Sequence, residues 1–123
     1  MPSRFLRRPR NGSLQMRLLL DESVPNRLRR ALPEHSVRTV GEMGWSGVKN
    51  GQLLALAAVD FDAFVTVDKN LPYQQNLNTL PIAVVVLDSM SIELPALLLL
   101  MPALEVQLSS LKPKAYVRVA AGA

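Results

Sequence analysis

Three nearly uninterrupted apolar runs, at 18–20, 63–67 and 82–87, each lead straight into an aspartate: Asp21, Asp68 and Asp88. A run of this kind has no polar side chain to turn toward solvent, so a strand made from it must be covered on both faces. Segments of helical periodicity separate the runs. Buried strands alternating with helices specify an α/β domain with a mainly parallel central sheet, helices on both sides and right-handed crossovers.

The elements follow from the punctuation. Residues 16–20 read as a first strand. A helix to about residue 32 follows, with Ser23 as its cap, Pro25 in its first turn and Pro33 as its stop. Residues 36–40 form a second strand, and a loop with glycines at 41, 44, 47 and 51 follows. Asn50 is placed to cap a second helix over 51–59. Residues 63–67 are a third strand, and the loop 68–81 has room for a short helix. Residues 82–87 are a fourth strand, 93–110 are helical with a break near Pro102, and 115–120 are a fifth strand. The sheet therefore has four to five strands.

At 123 residues and 49% hydrophobic content the chain suits one domain with one core. We expect that domain over 16–123, preceded by a disordered basic tail over 1–15. The net charge of +4 belongs to the tail. Setting aside Arg4, Arg7, Arg8 and Arg10 leaves ten Lys and Arg against ten Asp and Glu. The tail lacks the apolar core of a signal peptide. The apolar stretch 94–104 is too short to cross a bilayer, which takes about 20 residues, so no membrane association is expected. The chain has no cysteine, which agrees with a cytoplasmic location. His35 is its one histidine, which argues against zinc and leaves oxygen ligands, hence magnesium or manganese.

In open α/β sheets, sites form beyond the carboxyl ends of the strands. Asp21 and Glu22 end the first strand, Asp68 the third and Asp88 the fourth. Asp62 precedes the third strand, roughly 20 Å from Asp68 at about 3.3 Å per residue, and cannot share a site with it. Converging carboxylates repel one another and call for a cation or basic partners. A divalent metal held by Asp21, Asp68, Glu22 and Asp88 would suit displacement at phosphate. A purely structural account of the same residues is that Asp21 and Glu22 cap the first helix and Asp68 closes an Asx-turn. Among their neighbours, Lys69, Tyr73, Asn50 and Asn70 are candidates for substrate binding. Trp45 either stacks on a base or packs over a core edge, and His35 reads as structural.

The stretches MRLLLDESVPNRLRRALPEHSVRTV and NGQLLALAAVDFDAFVTVDKNL, together with the order of elements, resemble the PIN-like family of small bacterial proteins, related to VapC-type toxin nucleases. The resemblance covers 16 to about 110. It implies a three-layer α/β/α fold and a metal-dependent ribonuclease, with Asp21 and Asp68 as catalytic acids on Mg²⁺ or Mn²⁺. The partners it implies are RNA, a cognate antitoxin and further copies of the chain. It also implies acids at the start of the second helix and two residues after Asp68. This chain has Asn50, Gln52 and Asn70 there, amides that bring oxygen to a metal without charge. Two other readings compete. One is a catalytically weak relative that acts by partner binding. The other is a receiver-like signalling module with Asp68 as phosphate acceptor and Ser89 as its hydroxyl partner. The latter needs a lysine at the end of the fifth strand, whereas Lys114 precedes that strand and 115–123 contain none.

Overall fold

The computed structural model describes residues 15–120, so the tail expected to be disordered lies, but for Gln15, outside the described residues. Five strands form one sheet: β1 (Arg17–Leu20), β2 (Ser36–Thr39), β3 (Ala63–Thr66), β4 (Ala83–Asp88) and β5 (Tyr116–Ala120). Every pairing is parallel, and the order across the sheet is β2-β1-β3-β4-β5.

Helices cover both faces, as apolar strands require. Alternation sends Leu18 and Leu20 of β1, Val65 of β3, and Val85 and Leu87 of β4 to one face. There they meet Leu28 from a 3-10 turn (Asn26–Ala31), Leu97 from α3 (Leu94–Leu98) and Leu104 from α4 (Met101–Ser109). Leu19, Phe64, Val84 and Val86 go to the other face. They meet Leu53, Leu54 and Ala57 of α1 (Asn50–Asp60) and Leu71 of α2 (Leu71–Gln74). The result is a three-layer α/β/α sandwich. Each fully buried Leu or Phe contributes about 1.5–3 kcal/mol of hydrophobic stabilisation.

Three local expectations are corrected. The segment after β1 is a single run of 3-10 turns rather than an α-helix reaching residue 32. Pro25 sits at its start and Pro33 just beyond its end, and Leu28 N–H closes on the Pro25 carbonyl at 3.0 Å, an i→i−3 bond. Ser23 does not cap it. Lys49, rather than Asn50, stands at the N-cap of α1, and no side chain caps that helix. The 93–110 stretch is helical as expected, with its break at 99–100, just before Pro102, which sits in the first turn of α4. The loop 68–81 does hold the short α2, followed by a 3-10 turn (Leu77–Thr79).

His35 is buried and ties three elements together. Its Nδ1 accepts from the Met16 amide at 3.1 Å, and its Nε2 lies 2.8 Å from Glu105 Oε1 on α4. An Nδ1 that accepts a backbone N–H carries no proton, so Nε2–H is the donor to Glu105. Trp45 packs edge-on against Phe61, with centroids 6.4 Å apart, at the margin of the second core layer. No helix among the described residues is long and apolar enough to cross a membrane.

Candidate functional site

The chain leaves β1 toward β2 on one side and later returns to β3 on the other. The direction of winding therefore reverses between β1 and β3, and the crevice at their carboxyl ends is where open α/β sheets bind ligands. Asp21 and Asp68 stand at that crevice. The Asp21 amide donates to the Val65 carbonyl at 2.9 Å, which carries the β1–β3 ladder one residue beyond β1.

Thr66 joins the two acids. It is fully buried, so its hydroxyl needs partners. Oγ1 donates to Asp21 Oδ2 at 2.7 Å and accepts from the Asp68 amide at 3.0 Å. Ser23 Oγ also donates to Asp21 Oδ2, at 2.9 Å, and the Glu22 amide donates to Oδ1 at 2.8 Å. Asp68 Oδ1 accepts from the Asn70 amide at 2.9 Å, closing an Asx-turn. Asp21 thus receives three hydrogen bonds at its roughly four lone-pair sites, and Asp68 receives one.

The other two acids are engaged elsewhere. Glu22 Oε1 accepts from the Gly47 amide at 3.1 Å. Gly47 has φ +83°, which a side chain would strain, so glycine allows the loop to bring this amide to Glu22. Asp88 lies between two cations, with Lys69 Nζ 2.9 Å from Oδ1 and Arg118 Nε 2.9 Å from Oδ2. The Lys69 ammonium, and after it the Arg118 guanidinium, hold its carboxyl below the usual carboxylate range. The Asp62 carboxylate accepts from the Arg17 amide at the opposite end of β3.

Among the described residues, no three His, Cys, Asp or Glu side chains converge closely enough to hold a metal ion. The expected four-carboxylate cage of Asp21, Glu22, Asp68 and Asp88 is therefore not assembled, because Glu22 serves the glycine loop and Asp88 serves Lys69 and Arg118. Asn50 occupies the first position of α1, and Asn70 reaches Asp68 through its backbone amide alone. Tyr73 lies on α2 and is 86% exposed.

No family model, curated protein or solved structure matches the chain.

The donor set decides what the crevice can hold. Magnesium commonly takes one or two carboxylates and completes its octahedron with water and substrate phosphate. Asp21, with one lone-pair site left, and Asp68, with most of its sites left, fit that open arrangement and do not fit a closed cage. Thr66, Ser23 and Arg118 are the residues that sequence reasoning missed. Thr66 is the only polar residue in an otherwise apolar strand, and Arg118 the only charge in β5; those anomalies were the available signals.

Proposed function

We propose that the chain is a PIN-like ribonuclease in which Asp21 and Asp68 together hold one Mg²⁺ or Mn²⁺ ion that is completed by water and RNA phosphate. The observation that supports it most is the shared Thr66 hydroxyl, which ties two acids at the winding reversal into one preorganised unit. A bound divalent ion supplies Lewis acidity toward phosphate and lowers the pKa of its water. The chain supplies the geometry. Thr66 and Ser23 fix the rotamer of Asp21, and the Asx-turn fixes Asp68. With so few charges of its own, the crevice depends on the substrate to complete the ion's coordination, so metal and RNA should bind cooperatively.

A second reading is partner binding without catalysis. It is favoured by the amides at Asn50, Gln52 and Asn70 and by the commitment of Glu22 and Asp88 elsewhere. The receiver-like reading is weaker. The strand order suits it, but the Ser89 hydroxyl accepts from the Ser91 amide, and Arg118 is the cation that β5 brings to Asp88. On the ribonuclease reading, the chain is the toxin of a toxin–antitoxin pair and its cognate partner suppresses the activity. The deciding experiment is single-stranded RNA cleavage with Mn²⁺ by the wild type, Asp21→Asn and Asp68→Asn. Metal-dependent cleavage lost in both variants supports the proposal. An inert wild type that still captures a partner supports the second reading.

A further inference from the structure

Strand alternation gathers more than the two acids at this edge. Asp21 shares the parity of Leu19, Thr66 that of Phe64, and Asp88 that of Val84 and Val86, all residues of the face covered by α1 and α2. Arg118 shares the parity of Tyr116, which packs against the same layer. In the β4–β5 register Arg118 is opposite Val86, so Asp88 is its diagonal neighbour on that face, within reach of a long side chain. Arg118 and Lys69 meet on Asp88 while their side chains remain 57% and 48% exposed. Tyr73 stands 86% exposed on α2, which begins two residues after Lys69 and packs through Leu71 on the same layer as Tyr116.

A Tyr left this open buries little apolar area in the fold, so its ring contributes little to stability and is available to a ligand. The cations are also only partly used. Two of the five guanidinium N–H groups of Arg118 go to Asp88, and one of the three ammonium donors of Lys69 does. Asp88 thus holds two like charges in place beside Asp68 and leaves their remaining donors unspent.

We infer that Tyr73, Arg118 and Lys69 form a rail for single-stranded RNA, with Tyr73 stacking on a base and the two cations holding adjacent phosphates beside the Asp21–Asp68 crevice. The inference rests on the proposed ribonuclease reading, because it names the substrate contacts of that same edge. A base in a duplex is already stacked and paired, so Tyr73 can serve only a strand whose bases are free. Asp88 is a positioning residue here. It orients Arg118 and Lys69 and does not touch the RNA.

The test is fluorescence anisotropy of a short labelled RNA, single-stranded or annealed, with the Asp68→Asn protein in a chelator. That background removes cleavage and one repelling charge. The single strand should bind more tightly than the duplex. Adding Tyr73→Ala should weaken binding by about 5- to 150-fold, the range for loss of one base–aromatic stack. Tyr73→Phe should bind as the parent does, since the ring and not the hydroxyl makes the contact. Arg118→Ala should weaken binding and lower the salt slope by about one. All three side chains are exposed, so the fold survives each change. Equal binding by the parent and the Tyr73→Ala and Arg118→Ala proteins, no binding by the parent, or equal affinity for duplex would overturn the rail. The two proposals fail separately. If wild type leaves RNA intact while binding depends on Tyr73, the catalytic reading falls and the rail stands. If wild type cuts RNA and Tyr73→Ala cuts it with unchanged KM, the rail falls and the catalytic reading stands.

Discussion

The Thr66 hydroxyl sits 2.7 Å from Asp21 Oδ2 and is its buried donor. The same oxygen accepts from the Asp68 amide, so one methyl-for-hydroxyl exchange disconnects both acids. Thr66→Val keeps shape, takes one of two donors from the half-buried Asp21 Oδ2, which keeps Ser23, and leaves the Asp68 amide without its acceptor. It should cost about 1–3 kcal/mol, a fall in Tm of several degrees. Thr66→Ser should recover most of the loss. Chemical denaturation checks this, and a Thr66→Val protein as stable as wild type would show that the relay contributes nothing.

Asp88 gives a pH signature. Its carboxyl is lowered by Lys69 and Arg118, so its folded-state value lies below its unfolded one. A carboxylate so shifted stabilises the fold above the unfolded value, and that contribution is lost as pH falls through the folded value. Wild type should therefore exceed Asp88→Asn in stability at neutral pH. The difference should be small, because Lys69 and Arg118 are half exposed and screened by solvent. It should shrink as pH drops below about 4. A difference that grows on acidification would contradict the assignment.

Much of this was legible before any coordinates. Apolar runs without a polar face left a parallel, doubly covered sheet as the one arrangement for 63–67 and 82–87, and the strand-end rule brought Asp21 and Asp68 to one edge. The first helix was misread because the cap pattern around Ser23 is a local signal. The 3-10 run starts after Pro25, two residues beyond Ser23, whose hydroxyl turns back to donate to Asp21, and the bracketing prolines shorten the segment. The fate of Asp88 was hidden for a different reason. It depends on the register between β4 and β5, and no local pattern encodes which residue of β5 falls diagonal to residue 88.

His35 should be structural in a measurable way. His35→Leu removes the acceptor of the Met16 amide and should cost about 1–3 kcal/mol. Glu105→Gln keeps an acceptor for Nε2–H at a 41% exposed site and should cost far less. Similar losses in the two variants, read by urea unfolding, would mean that the Glu105 contact dominates.

Gly47 tests the loop that occupies Glu22. Its added Cβ would meet open space, so Gly47→Ala carries only the conformational cost of φ +83°, about 1–2 kcal/mol. Gly41→Ala, where φ is not positive and the nearest atom is 3.8 Å away, should be close to neutral. Thermal unfolding of the pair checks the contrast.

The most direct test of the account is a Mn²⁺ titration followed by the electron paramagnetic resonance signal of the free ion. The wild type should show one saturable site. Asp21→Asn and Asp68→Asn each remove one ligand charge while keeping shape, and each should abolish saturation. Asn50→Asp, at the first position of α1 where an acid suits the helix dipole, should tighten binding without harming the fold. No saturable site in the wild type, or unchanged binding in both the Asp21→Asn and Asp68→Asn proteins, would contradict the claim that this carboxylate pair is a metal site.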